Sequence, residues 1–157
     1  MTNFSEQDIL YMREALNLAA QAAQEDEVPV GAIIVADGQI VGRGFNRREG
    51  GRDATLHAEI IAIREACATM GGWRLPRSTM YVTLEPCPMC AGALVQARVE
   101  RLVFGATDPK AGAAGTVLDL TRHAALNHRL EVEGGLLAAE AAELLQQFFR
   151  QKRHKTT

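Results

Sequence analysis

Apolar residues at helical spacing open the chain. Ile9, Met12, Leu16, Ala19 and Ala23 recur every three to four residues behind a Ser5/Asp8 start signal, which predicts an amphipathic first helix reaching Gln24. The period then changes. Val28 to Val35 reads as a strand, Asp37-Gly38 as a tight hairpin turn, and Gln39 to Gly44 as the returning strand. Polar residues with Gly50-Gly51 predict a loop from Asn46 to Asp53, after which Thr55 is placed to cap a second helix from about His57 to Thr69.

Gly71-Gly72 breaks that helix, and Thr79 to Leu84 has the β-branched and aromatic content of a strand. Glu85-Pro86 ends the strand, and Pro88 suits the first turn of a helix running to about Gln96. Leu102 to Gly105 reads as a short strand, and Ala106 to Gly115 as a loop, either a permissive active-site loop or a plain connection. Leu118 and Leu120 suggest a short helix or turn, His128 to Glu133 a last strand, Gly134-Gly135 a break, and Leu136 to Arg150 a long helix with one buried face. A hairpin followed by strands alternating with helices implies a mixed sheet covered by helices.

A length of 157 residues with no repeat, low-complexity tract or linker predicts one domain, 1–157, with a basic tail from about 150. No apolar run approaches the ~20 residues needed to cross a bilayer, and Met1-Thr2-Asn3-Phe4-Ser5 lacks the features of a signal peptide, so no membrane association and a cytoplasmic location are expected. The net charge of -2 argues against a large single-sign surface, yet it hides an asymmetry. Six acids stand against Arg13 in residues 1–30, whereas Arg150, Lys152, Arg153 and Lys155 have no acid among them. That end suits phosphate contact or a solvated helix terminus equally.

Three cysteines make no disulfide scaffold. Cys67 falls in an apolar helical pattern and reads as core packing, whereas Cys87 and Cys90 lie three apart at a helix start, where the helix's positive end favours thiolate and both can grip one ion. With His57, at the start of another helix, they supply three ligands and leave a fourth position for water; a closed structural site would need a fourth protein ligand. Zinc suits this mixture of sulfur and nitrogen better than magnesium or calcium does. Glu59, two residues from His57, faces another direction and is free to move the water's proton.

His57-Ala58-Glu59 with Pro86-Cys87-Pro88-Met89-Cys90 resembles the His-x-Glu and Pro-Cys-x-x-Cys signature of the zinc-dependent nucleobase deaminases. Longer strings resemble one branch of that superfamily, the bacterial tRNA-specific adenosine deaminases. They are Glu27 to Ala32, His57 to Ile60, Tyr81 to Gly92, Val103 to Ala106, Gly112 to Gly115 and Asn127 to Arg129. The resemblance implies a cytidine-deaminase-like three-layer α/β/α fold with a five-stranded mixed sheet. It also implies one zinc ion per subunit, a homodimer, and conversion of adenosine to inosine at the wobble position of a tRNA anticodon stem-loop.

Carried over by position, His57, Cys87 and Cys90 would hold the metal and Glu59 would shuttle protons. Asn46 would bind near the base, the Ala58 N–H would read its edge, and Val28, Pro29, Val30 and Leu84 would shape the pocket. Asp108 would approach the sugar or flanking nucleotides, with Asn127 and Phe149 positioning the anticodon loop. Each has a plainer competing role: Val30 and Leu84 as strand core, Asn46 as a turn residue, Asp108 as a loop cap, Phe149 as a packed helix end. The chain departs from the family pattern at Ala54-Thr55, where Pro-Thr is frequent, and in the loop Arg47 to Arg52.

Hydroxide generated with the help of Glu59 is expected to attack adenine C6, followed by loss of ammonia. Two other readings remain. One is a deaminase of free guanine or cytosine or their nucleosides, with nearly identical metal chemistry, although Phe148-Phe149-Arg150 and its basic continuation favour a polynucleotide. The other is a noncatalytic zinc-stabilised RNA-binding module, which would recruit Cys67, His123 or His128 as a fourth ligand.

Overall fold

A computed structural model describes residues 4–155, with side chains as far as residue 153. Met1-Thr2-Asn3, the Lys155 side chain and Thr156-Thr157, parts of the segments read above as an opening without a signal and as a basic end, lie outside the described residues. The elements in chain order are α1 (Glu6–Gln24), β1 (Gly31–Ala36), β2 (Gln39–Phe45), α2 (Ala58–Met70), β3 (Ser78–Leu84), α3 (Pro88–Gln96), β4 (Arg101–Ala106), β5 (Glu131–Gly134) and α4 (Ala138–Lys155). The strands form one mixed sheet in the order β2-β1-β3-β4-β5. β1 pairs antiparallel with β2 and β3, while β3–β4 and β4–β5 are parallel.

The period of two in the strands sends alternate side chains to opposite faces, and both faces are covered. Ala32, Ile34, Met80, Val82, Leu102 and Phe104 pack in one core with Ala58, Ala62 and Ala66 of α2 and Leu94 and Val95 of α3. Ile33, Val35, Tyr81 and Val103 pack on the other side with Met12, Ala15 and Leu16 of α1 and Ala141 of α4. The expected three-layer architecture is therefore present. Every residue of β1 is buried, as a strand with helices over both faces requires.

Local chemistry sets most element ends. Ser5 and Asp8 form the capping box of α1, the Asp8 N–H donating to Ser5 Oγ at 3.0 Å and the Ser5 N–H to Asp8 Oδ2 at 3.1 Å. Asp8 also accepts from Tyr81 Oη at 2.6 Å and from Arg101 Nη1 at 2.9 Å, so the same carboxylate ties α1 to β3 and β4. The hairpin turn has φ of 52° at Asp37 and 76° at Gly38, the left-handed pair that matches strand twist. Gly42 and Gly44 let β2 approach α2 closely: a Cβ on Gly44 would overlap the Ala58 carbonyl oxygen, and one on Gly42 the Ala62 carbonyl oxygen.

Several boundaries differ from the sequence pattern. The first strand begins at Gly31 rather than Val28, because Pro29 has no N–H and the Val30 N–H turns back to the Val28 carbonyl at 2.9 Å. Thr55 does not cap α2. Its N–H and hydroxyl both donate to Asp53 Oδ1, at 2.8 and 2.7 Å, and His57 occupies the N-cap position. The last strand starts at Glu131, since His128 Nε2 is engaged with the Val99 carbonyl at 2.6 Å, and α4 starts at Ala138 after a turn with Leu137 at φ 53°. Leu118 and Leu120 lie in neither a helix nor a turn; they flank Asp119, which forms an isolated antiparallel bridge with Ala114.

Candidate active site

The metal-binding strings meet at the starts of two helices. His57 is the N-cap of α2 and Cys87 the N-cap of α3, and neither side chain makes the capping hydrogen bond usual at that position. Both turn toward one another instead. His57 Nδ1 lies 3.6 Å from Cys87 Sγ and 3.5 Å from Cys90 Sγ, and the three donor atoms fall within 4.8 Å of one another. A tetrahedral ion with Zn–S near ~2.3 Å and Zn–N near ~2.05 Å sets the S···N separation at ~3.5 Å, so the spacing and the donor types fit zinc.

The two sulfurs divide their roles. Hydrogen bonding from Cys90, opposed by burial and helped by His57, draws the Cys87 thiol down to about 4, while the same Cys87 contact and burial push Cys90 up. The contact with Cys87 raises His57, against the effect of burial and with a further contribution from the Glu59 charge. His57, Cys87 and Cys90 would hold a dication, whose charge would favour both cysteines as thiolates.

Glu59 follows in the first turn of α2 and is buried. Burial pushes its carboxyl up to about 7, against the opposing pull of its own backbone N–H and of His57. A carboxyl raised in this direction by burial is a better proton carrier near neutral pH than an ordinary, fully ionised glutamate. The carboxyl lies outside the three-ligand cluster, as its expected proton-carrying role requires.

His57, Cys87 and Glu59 line a cavity of about 250 Å³, with Cys90 buried behind them. Val28, Val30, Asn46, Ala58, Leu84 and Asp108, all singled out from sequence, share its wall. Asn46 is braced on both sides, its Nδ2 donating to the Val28 carbonyl and its Oδ1 accepting from the Arg48 N–H, each at 3.3 Å. Asp108 caps its own loop, with Oδ1 accepting from the Lys110 and Ala111 N–H groups at 3.0 and 3.2 Å. The turn and loop-cap roles thus coexist with a place on the cavity wall.

Phe149 is 45% exposed and lines an adjoining depression with Val28, Leu84, Asp108 and Lys110. Pro29 is buried behind the wall and does not line the cavity, and Asn127 is exposed and lines neither depression. Sequence reasoning overlooked Arg48, Glu85 and Ala111, which line the cavity. For Glu85 the sequence shows only that a charged residue lies between a buried strand and the Pro86-Cys87 start of the next helix, and not which groups partner it.

The other candidate ligands are engaged elsewhere. Cys67 Sγ, half-buried against the core, contacts the Trp73 carbonyl at 3.7 Å, His123 Nδ1 accepts from the Ala125 N–H at 3.1 Å, and His128 is held at Val99. Among the described residues, His57, Cys87 and Cys90 form the single cluster of three or more such ligands, which removes the basis for a closed structural site.

Similarity to known proteins agrees with this chemistry. The MafB19-like deaminase family matches residues 6–153. A tRNA-specific adenosine deaminase of Bacillus subtilis is 50% identical over 149 residues, covering 95% of this chain and 92% of that protein. A structure from studies of A-to-I editing by tRNA:A34 deaminases superposes with a TM-score of 0.84 at 45% identity, covering 87% of this chain and 99% of its own. Guanine deaminase from Bacillus subtilis shares 35% identity with a TM-score of 0.63, covering 72% of this chain and 71% of its own. The chain belongs to the tRNA-specific adenosine deaminase family, within the zinc-dependent deaminase superfamily.

Proposed function

We propose that this protein hydrolyses adenosine to inosine at the wobble position of a tRNA anticodon loop, using one zinc ion per subunit. The observation that carries the chemistry is the buried Glu59 carboxyl beside a three-ligand cluster at the base of a cavity. Zinc, when bound, supplies the Lewis acidity that brings the pKa of a water toward neutrality. Glu59 takes the attacking water's first proton at a carboxylate oxygen and passes it to the purine ring nitrogen, then takes the proton of the hydroxyl added at C6 and passes it to the departing amine. Water adds at C6, ammonia leaves, and inosine remains.

The chain's other groups bind and orient. Val28, Val30 and Leu84 offer apolar surface to a base removed from its stack, Pro29 stiffens that wall, and Asn46 and the Ala58 N–H supply polar contacts to it. Asp108 and Phe149, on the adjoining depression, and Asn127 are assigned to the sugar and flanking nucleotides. A single-stranded loop is favoured because little pairing must be broken to present its base. A homodimer is part of the proposal on the strength of the family; sedimentation at several concentrations should find it, and monomer alone at all of them would remove that element. Among the described residues no helix is long and apolar enough to cross a membrane.

The test compares turnover on an isolated anticodon stem-loop with turnover on free adenosine, adenine, guanine and cytosine. Turnover of the stem-loop well above every free compound is expected. The similarity to guanine deaminase keeps a free-base reading in play, and rapid guanine or cytosine turnover with an inert stem-loop would establish it in place of RNA editing.

A further inference from the structure

Two buried carboxylates have no place in the proton-transfer chemistry, and they stand in matching positions. Glu27 accepts from the backbone N–H of Glu49 at 3.0 Å and of Gly50 at 2.7 Å. Glu85 accepts from the N–H of Asp108 at 3.1 Å, Ala114 at 3.0 Å and Thr116 at 3.1 Å, and from the Thr116 hydroxyl at 2.5 Å. Neither takes part in an ion pair among the described residues. Each charge is satisfied by loop N–H groups, and bonds to an ionised acceptor are the stronger kind.

The loops so held frame the cavity. Residues 46–53 carry Asn46 and Arg48 to one wall, and residues 107–118 carry Asp108 and Ala111 to the other. Glu27 follows α1 and Glu85 follows β3, so each loop hangs from a residue at the end of a packed element. Gly112 shows how tight one anchorage is, since a Cβ there would come within 2.5 Å of the Glu85 carboxyl carbon.

We propose that Glu27 and Glu85 are positioning residues, each fixing one wall of the cavity mouth so that Arg48 and Asp108 meet the nucleotides flanking the target base. This rests on the deaminase reading given above. Glutamine at either position keeps the size but turns an N–H donor toward N–H donors, so the loop on that side loosens while the other keeps its place. The loops carry neither Glu59 nor a metal ligand, so the loss falls on KM rather than on kcat.

Crossed variants test this. Glu85→Gln should raise KM for the anticodon stem-loop about tenfold with zinc content and kcat little changed, since misplacement of binding groups acts on productive positioning. Adding Asp108→Ala to Glu85→Gln should cost much less than the product of the single effects, whereas adding Arg48→Ala should multiply. Glu27→Gln should show the reverse pattern. Amide exchange provides a readout independent of turnover: Glu85→Gln should expose the amides of Asp108, Ala114 and Thr116 but not those of Glu49 and Gly50, and Glu27→Gln the converse.

Should Glu85→Gln fail to fold, Thr116→Val, at an exposed residue, removes only the hydroxyl bond and should shift KM and the same amides in the same direction to a smaller extent. Unchanged protection at the named amides, or losses that multiply in every combination, would overturn the proposal. An unsubstituted protein inert toward the stem-loop would defeat the deaminase reading instead, and the exchange pattern would still decide whether the carboxylates anchor the loops.

Discussion

Replacing Gly44 by alanine should disturb the active site from behind. Gly44 lies in β2, and a Cβ there would sit 2.8 Å from Ala62 N and 2.9 Å from Ile61 Cβ, and closer still to the Ala58 carbonyl oxygen. Ordinary van der Waals contact begins near 3.4 Å, so the start of α2 must recede by about 1 Å; a displacement of that size at a reacting group can cost about a hundredfold in rate. His57 and Glu59 flank Ala58, so this movement is delivered directly to a metal ligand and the proton carrier. Overpacking should also remove about 1–3 kcal/mol of stability. For a chain of this size that is a fall in Tm of roughly 2–12 °C.

Gly42→Ala supplies the comparison. Its Cβ would press on α2 at Ala62 and Ala66, one turn farther from the metal ligands, with equally little room. The two variants should lose similar stability and differ in function. Gly44→Ala should lower turnover by about a hundredfold and weaken zinc retention during dialysis against a chelator, whereas Gly42→Ala should lose only a few-fold in turnover. Gly72→Ala, where a Cβ meets nothing within 4 Å, should change neither. Thermal unfolding, zinc quantification and initial rates on one preparation decide the matter. Equal losses of turnover in Gly42→Ala and Gly44→Ala at matched stability would refute the claim that Gly44 sets the position of His57 and Glu59.

Three further outcomes are expected. Glu59→Ala should retain zinc, because the three ligands are untouched, and lose at least about a hundredfold in turnover; retained zinc with near-normal rates would defeat its proton-transfer role. Asp8→Asn should cost about 3 kcal/mol at pH 7 in urea unfolding, toward the lower end for a broken buried pair because Glu133 still faces Arg101 at 2.7 Å. Burial alone would raise the Asp8 carboxyl, but hydrogen bonds from Arg101, Tyr81 and Ser5 more than reverse it and hold the group well below its usual range. A depressed folded pKa means that this stabilisation is fully present above the unfolded value of about 3.9 and is lost as pH falls through the folded one, so the variant's stability should decline less steeply in acid. An unchanged acid slope would count against that assignment. Phe149→Ala should raise KM for the stem-loop about tenfold, as loss of one stacked base predicts, and leave kcat on free adenosine unaltered; a KM within twofold of normal would remove Phe149 from the binding surface.

The parts of this structure legible in the sequence are those whose causes are local. The heptad-like spacing in α1, the Asp37-Gly38 turn, Pro88 at the start of α3 and Gly71 at the end of α2 each carry their own reason within a few residues. The misplaced boundaries have partners that local pattern does not weigh. Thr55 looks like a cap until Asp53 takes its hydroxyl, and His128 looks like the start of a strand until Val99 takes its ring. Glu85 was harder still, because its partners are backbone N–H groups 23 to 31 residues away, and a backbone amide leaves no mark in the sequence.

The metal ligands were legible for a different reason. Cys87 and Cys90 three residues apart at one helix start, with His57 and Glu59 at another, carry the metal reading in the sequence, and in the structure the two N-cap positions, His57 and Cys87, give up their caps together. That shared sacrifice requires a common partner, and the 3.5 and 3.6 Å separations supply its size. What brings the two helix starts within reach is the sheet. β2 seats α2 through two glycines, while the parallel pairing of β3 with β4 requires a crossover that carries α3 over the same face. Neither helix could be moved by a residue without separating Nδ1 from the sulfurs, so the close packing behind the site is as much a condition of zinc binding as the ligands themselves.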